Sequence, residues 1–412
     1  MESGTLKLEN ILIKKILFVT YGGGHSKLIL PIVKQLQALA QYEVISLALT
    51  TAANDFSKEN IDFKGFKDIL PFYSIQEQNS CITYGKKLAE KNGAVNYDES
   101  IAYLGISYFE LVKEYGEEEA QKLYENKGRA AFLPTNALFK FMSAIEPSLL
   151  VTTVSPRAEE ASILAAKKLN IPSICINDFI NKNSANRISR IEPDITCVIN
   201  ENVKKQLAKL NSTLDIRVTG NPAFDRLALS TIDKKTVKKQ LNIKGPVVLW
   251  AAQREHSVHP FTNKKGDVKL PRKVESALYD IAKSSDVNFI FRSHPNYPVD
   301  YSIYNSYVID GNLYSLDELL HIADIVITIS STVGYEGLIL GKKLITIEGS
   351  TLNDDGPYHE LNMSEGVNDL ADLRSVIETL IADENKLQVE VGGFNGDAAN
   401  KIVKLIKCVI NE

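Results

Sequence analysis

The sequence predicts an α/β protein made of two parallel-sheet domains facing across a cleft, and three observations carry that prediction. Short apolar, β-branched runs recur along the chain and alternate with helical patterns, as expected for strands buried on both faces of a parallel sheet. At 412 residues the chain is too long for one core and long enough for two ordinary domains. Glycine- or serine-rich polar clusters follow several runs directly, which puts turns on the C-terminal sheet edge, where open α/β sheets bind ligands.

The first domain is expected over residues 1–220. Its first strand, Ile16 to Thr20, runs into Tyr21-Gly22-Gly23-Gly24-His25 and a helical pattern through Leu28, Ile32, Leu36 and Leu39. Glycines there let the backbone turn sharply and approach a ligand closely. They hold His25 at the sheet edge, as a candidate general base or as a structural histidine. Gly22, Gly23 and Gly24 are not spaced as GxGxxG, and no acidic residue closes the strand near Val44 to Ala48, so a dinucleotide site is disfavoured. A helical insertion is expected over about 64–145, with Glu110 to Asn126 as one amphipathic helix.

Strands are expected next at Leu149 to Val154, Ser173 to Ile176, Thr196 to Ile199 and Ile216 to Thr219. Ser155, Pro156, Arg157 and Glu159 follow the first of these, on the same edge as His25. With Gly22, Gly23 and Gly24, Arg157 and Glu159 are the candidates to line the acceptor side of the cleft; Arg157 suits an anionic group or an acceptor, while for Glu159 and Glu160 complementing a helix N-terminus is the alternative. The turn Gly220-Asn221-Pro222 marks the domain boundary.

The second domain is expected over 221–395. Val247 to Ala252 is a buried strand followed by Gln253-Arg254-Glu255-His256, and Ser257 to Asp267 reads as a mobile loop over the cleft. The strand Asn288 to Arg292 leads to His294-Pro295, whose proline favours an extended turn at His294. The strand Ile325 to Ile329 leads into Ser330, Ser331 and Thr332 at a helix start. Hydroxyls and free N–H groups at that positive helix end favour an anion, and Glu336 is placed to accept from a ribose diol. Plain helix capping is the alternative for these serines and threonine. Asn353-Asp354-Asp355-Gly356 is a turn, Gly392 to Gly396 a break, and residues 396–412 a helix expected to pack back on the first domain.

Composition narrows the function. A hydrophobic fraction of 44%, a charged fraction of 24% and a net charge of −4 are those of a globular protein without an electrostatic footprint for nucleic acid. The four cysteines show no metal-ligand spacing, so no metal site is expected, and no cofactor. The N-terminal apolar stretch is broken by Glu9, Asn10, Lys14 and Lys15, unlike a signal peptide, so a cytoplasmic location is expected, with peripheral contact at the inner membrane face left open.

With these motifs in order, the chain resembles the GT-B superfamily of nucleotide-sugar enzymes, which includes glycosyltransferases and UDP-N-acetylglucosamine 2-epimerases. The GGGH turn with Pro31 is similar to the first loop of the transferases that complete lipid II. The segment Val218 to Leu227 (VTGNPAFDRL) and the SSTVGYEG loop are similar to epimerase segments. The resemblance implies two Rossmann-like domains, a donor held by Arg254, His294, Ser330, Ser331, Thr332 and Glu336, and His25 as the base. The chain departs from the epimerases at three acid/base positions, now Thr153 to Arg157, Asn177-Asp178-Phe179 and Gln253. The resemblance therefore implies a metal-independent, inverting glycosyltransferase that uses a UDP-sugar, with a CMP-linked nonulosonate second, and a glycan or lipid-linked acceptor of bacterial surface polysaccharide. An epimerase-like isomerase or hydrolase and a non-catalytic nucleotide-sugar-binding protein stay open.

Overall fold

A computed structural model describes residues 13–91, 95–177, 182–259, 262–295, 297–304, 306–383 and 394–411. The chain divides into two compact units. The first contains Met1–Asp178, Arg187–Ala223 and Asp397–Glu412, and the second Phe179–Asn186 and Phe224–Gly396.

The first unit carries a six-stranded, all-parallel sheet of β1 (Lys14–Thr20), β2 (Tyr42–Ala48), β3 (Leu149–Thr153), β4 (Ser173–Ile176), β5 (Ile195–Val198) and β6 (Ile216–Val218). Their spatial order is β2-β1-β3-β4-β5-β6. The order reverses between β1 and β3, where Ile16 pairs with Leu149 and Val19 with Thr152. Connections leave these two neighbours in opposite directions, so a crevice opens at their C-terminal ends, the usual ligand position in such sheets. The polar turns after Thr20 and Thr153 both end there.

The second unit repeats the design with β7 (Val247–Ala251), β8 (Asn288–Arg292), β9 (Val308–Asp310), β10 (Ile325–Thr328), β11 (Lys343–Ile347) and β12 (Glu365–Val367). The order β12-β11-β10-β7-β8-β9 reverses between β10 and β7. Gln253-Arg254 after β7 and Ser330 to Thr332 after β10 therefore share the second switch point.

The C-terminal helix Ala398–Asn411 belongs to the first unit. Ala399, Ile402, Val403, Ile406 and Ile410 recur at helical spacing and join the core beside Leu28, Ile29, Ile32, Val33 and Leu36 of the helix Gly24–Gln37. The helical insertion comprises Ile75–Leu88, Tyr97–Tyr115, Glu117–Lys127 and Thr135–Ile145. Contrary to the single helix expected over Glu110 to Asn126, the chain breaks at Gly116, whose φ of 81° ends one helix and opens the next. Apolar periodicity runs through that break because Tyr108 and Tyr124 still meet edge to face, their centroids 5.7 Å apart.

Among the described residues no helix is long and apolar enough to cross a membrane.

Candidate functional site

At the first switch point the side chains form a connected set. Glu159 lies in the first turn of the helix Ala158–Leu169, with 0% of its surface exposed. Its carboxylate accepts the Tyr21 N–H at 2.7 Å, the Thr153 hydroxyl at 2.6 Å and the Ser155 N–H at 2.5 Å. One buried acid thus ties the turn after β1 to the turn after β3. The Thr153 hydroxyl oxygen also lies 2.5 Å from His25 Nδ1, and that nitrogen is 3.8 Å from Glu159.

Proton accounting then sets the histidine tautomer. A carboxylate only accepts, so Thr153 gives its one proton to Glu159, and its oxygen must accept from His25 Nδ1–H. The basic lone pair is left on Nε2.

The glycines play different parts from one another. Gly23 has a φ of 74°, which a residue without Cβ adopts at little cost. A Cβ on Gly22 would lie 1.9 Å from Thr51 Oγ1, so this glycine admits a neighbouring loop of the protein, not a ligand as its sequence context suggests. The Thr50 and Thr51 hydroxyls accept from the N–H groups of Gly22 and Gly23 at 3.1 and 3.2 Å. A Cβ on Gly24 would meet nothing within 4 Å.

Arg157 sits between β3 and its helix with its guanidinium 5.0 Å above the Tyr21 ring. Glu160, next to Glu159, does not join this set. It is paired with Arg187 at 3.2 Å and Arg190 at 2.6 Å.

At the second switch point Gln253 organises the Ser330 turn. Its Oε1 accepts from the Ser330 N–H at 2.7 Å and from the Thr328 hydroxyl at 3.3 Å, and its Nε2 reaches Ser330 Oγ at 3.5 Å. From the other side the Tyr358 hydroxyl donates to the Ser331 carbonyl at 2.6 Å. Ser331 is the N-cap of the helix Thr332–Ile339, accepting from the Val333 N–H at 3.3 Å. Thr332 begins that helix and is exposed.

Tyr297 gathers the other two donor-side candidates. The Arg254 guanidinium lies 4.9 Å above its ring and donates to its hydroxyl at 3.2 Å, and the His294 ring centroid is 5.6 Å from that of Tyr297. These three, with Gln253, Arg272 and Val299, line a pocket of about 400 Å³.

Two expectations change. Glu336 does not stand open for a ribose. It is buried and ion-paired with Arg226, which also lies 3.0 Å from Asp317. In the stretch Ser257 to Asp267, expected as a mobile loop, the described residues on either side of 260 and 261 are pinned to each other: Val258 bridges Lys265, the His259 N–H donates to the Lys264 carbonyl at 2.9 Å, and buried His259 lies 3.0 Å from Asp355. Of the expected Asn177-Asp178-Phe179 strand end, Asp178 and Phe179 lie outside the described residues, as do Gly392 and Gly393 of the Gly392 to Gly396 break.

Sequence reasoning missed Thr153, Tyr297 and Tyr358 as site residues. The available signals were a buried strand ending in two threonines and a tyrosine three residues past His294.

No curated protein sequence matches this chain. Among solved structures it is similar to S. aureus MnaA in complex with UDP, with a TM-score of 0.62, 15% identity and 97% of each chain covered. It is similar to Neisseria meningitidis UDP-GlcNAc 2-epimerase bound to UDP-GlcNAc, with a TM-score of 0.61, 15% identity, and coverage of 96% of this chain and 100% of that one. Acinetobacter baumannii MurG aligns with a TM-score of 0.54 and 14% identity over 96% of this chain and 99% of its own. At such identities the likeness is one of fold, and the fold is GT-B. The match to a sequence family is more specific, for it runs over residues 178–407, more than half of the chain, and places this protein in the UDP-N-acetylglucosamine 2-epimerase family.

Proposed function

We propose that this protein is a glycosyltransferase. It moves a sugar from a nucleotide donor, a UDP-sugar first and a CMP-linked nonulosonate second, to a hydroxyl of a glycan or lipid-linked acceptor in bacterial surface polysaccharide synthesis. The observation that supports this reading best is the set Glu159–Thr153–His25, a single oriented base whose reactive nitrogen is Nε2. Such a base takes the acceptor proton as the hydroxyl oxygen attacks the anomeric carbon, which inverts that centre.

On this reading residues 1–220 take the acceptor and 221–395 the donor, with the closing helix 396–412 serving the first domain. Arg254 and the N-terminus of the helix Thr332–Ile339 meet the negative charge that grows on the leaving phosphate, a role otherwise open to a divalent metal. The reaction belongs in the cytoplasm, with peripheral contact at the inner membrane face where a lipid-linked acceptor is met.

The family membership favours a second reading, an isomerase or hydrolase that acts on UDP-GlcNAc alone. Gln253 weighs against it, because the amide at an expected acid/base position is engaged with the Ser330 turn and cannot transfer a proton at neutral pH.

The test begins with thermal shift and calorimetry against UDP, CMP, CDP, GDP and TDP, with and without chelator. A ligand that binds only the folded state raises its apparent stability. The sugar nucleotide of the selected base is then followed by NMR, alone and with extracted lipid-linked glycans. Transfer predicts donor loss only with acceptor, abolished in His25→Ala. Donor loss without acceptor establishes the second reading, and nucleotide binding without turnover of any donor leaves a binding protein.

A further inference from the structure

Arg157 is the one residue at the first switch point whose conformation and surroundings are both costly. Its φ of 73° and ψ of −110° lie where side-chain-bearing residues are strained, and such strain persists where the surrounding structure over-determines it. Its Nε is buried with no hydrogen-bond partner among the described residues. The Tyr103 hydroxyl is 7% exposed, and its hydrogen-bonding neighbour is the guanidinium, which can only donate to it, so its own proton meets no acceptor among the described residues.

Other cations drawn into the protein face a carboxylate or a carbonyl, including Arg187, whose Nε also lacks a hydrogen bond among the described residues but which is ion-paired with Glu160. Arg187 faces Glu160, Arg226 faces Glu336 and Asp317, Arg292 donates to the Gly311 and Tyr314 carbonyls, and Lys342 donates to those of His321 and Ala323. Buried polar groups normally have partners because an unmet one loses its hydration without return. Here a planar cation and a phenol lie side by side, and neither the Arg157 Nε–H nor the Tyr103 hydroxyl proton meets an acceptor among the described residues. Burial pushes the Tyr103 hydroxyl up to about 12, so it stays protonated and keeps a proton to donate. Arg129 contributes a further positive charge nearby.

The neighbouring carboxylates do not fill this need. Glu159 is occupied by Tyr21, Thr153 and Ser155, and Glu160 by two arginines. Stacking on Tyr21 leaves the guanidinium edge to make in-plane hydrogen bonds, which suits an oxyanion.

We infer that Arg157 and Tyr103 form an oxyanion subsite, and that the second substrate carries a phosphate or carboxylate group near the hydroxyl that reacts. The inference rests on the transferase reading for the identity of that substrate, but not for the existence of the subsite. Because Tyr21 links Arg157 to Glu159, and Glu159 links to His25 through Thr153, the anion would be fixed on the framework that orients the base.

The experiment is calorimetric titration of the full chain with inorganic phosphate and, separately, with acetate. Wild type, Arg157→Gln, Arg157→Gly, Tyr103→Phe and Arg254→Gln are compared, the last removing a cation of the donor-side pocket. Arg157→Gly guards against misfolding, because glycine relaxes the φ of 73°. The expected result is an Arg254-independent isotherm that weakens more than tenfold in both Arg157 variants and severalfold in Tyr103→Phe. Preference for phosphate or for acetate identifies the group carried by the substrate. Isotherms for both anions that are unchanged in the folded Arg157 variants, or absent in wild type, overturn the subsite. Anion binding through Arg157 without any sugar transfer would sustain the subsite and sink the transferase reading, whereas His25-dependent transfer without Arg157-dependent binding would do the reverse.

Discussion

Glu159→Gln is the most informative single substitution, because it changes one atom in a buried acid that serves three donors. Glutamine keeps one acceptor oxygen and presents an NH₂ to at least one of those donors, so one or two of the three bonds are lost. A hydrogen bond to a charged group contributes roughly 1.5–3 kcal/mol, which puts the destabilisation at about 2–5 kcal/mol. For a unit of this size each kcal/mol lowers the melting temperature by roughly 2–4 °C, so the first transition should fall by about 5–15 °C. Differential scanning calorimetry measures this, with Glu59→Gln as control, since Glu59 makes only a half-exposed pair with Lys34, worth about 0–1 kcal/mol. An NH₂ facing Thr153 would also turn the threonine hydroxyl toward His25 and move the imidazole proton to Nε2, costing turnover about a hundredfold or more. If Glu159→Gln melts within about 1 °C of the control, the carboxylate does not hold the two turns together, and the tautomer assignment fails with it.

Three further outcomes are expected. Burial lowers Lys342 to about 8 from an ordinary 10.5. The folded state therefore releases that proton first, and stability should rise with pH between about 8 and 10.5 by up to about 3 kcal/mol relative to Lys342→Met. Urea melts across that window check this, and parallel pH profiles for the two proteins would exclude it. A Cβ on Gly356 would lie 2.6 Å from the Ser330 carbonyl oxygen, so Gly356→Ala should displace the turn and weaken nucleotide binding at least tenfold, read by calorimetry; unchanged affinity would show that the turn does not contact the nucleotide. Tyr297→Phe keeps the ring under Arg254 and should weaken nucleotide binding only a few-fold, whereas Tyr297→Ala should weaken it tenfold or more, and equal effects would mean that the ring is irrelevant.

Strands with buried interiors announced themselves: Ser173–Ile176 and Asn288–Arg292 run between the residues that their apolar patterns indicated. The edge strand Glu365–Val367 did not, because a short strand of glutamate, glycine and valine carries no periodic signal. The helix Leu270–Ala282 was hidden behind a polar stretch and Pro271, although Val274, Leu278 and Ile281 form its buried stripe. Site residues divide along a similar line. His25, Arg157 and Arg254 carry visible chemistry, but Thr153 acquires its role only when β1 and β3 lie side by side, bringing together residues 128 positions apart. Glu159 and Glu160 are indistinguishable in sequence, yet adjacent positions on a helix point in different directions. One enters the turn and the other meets Arg187 and Arg190.

The membership of this chain in the epimerase family and its proposed role as a transferase bear on different parts of the molecule. The family match spans 178–407, and so includes all of the donor-side turn from Gln253 to Tyr358 but not His25, Thr153, Arg157 or Glu159. Handling a nucleotide diphosphate is a demand common to epimerisation and transfer, and a shared second sheet is the expected result. The two reactions part at the proton. Epimerisation next to the anomeric carbon must remove a proton from one face and return one to the other, which calls for groups that can both give and take. Transfer calls for one base aimed at one hydroxyl. At the first switch point the only imidazole is His25, with Nδ1 already committed to Thr153 and Glu159 behind it, and at the second Gln253 offers an amide. Restoring a titratable group by Gln253→His therefore bears on both readings. In a transferase it should cost nucleotide affinity, through the lost Ser330 contact, and confer no isomerase activity. Donor epimerisation by the wild type, lost in Gln253→Ala, would show that the amide has a chemical role which its hydrogen bonds do not reveal.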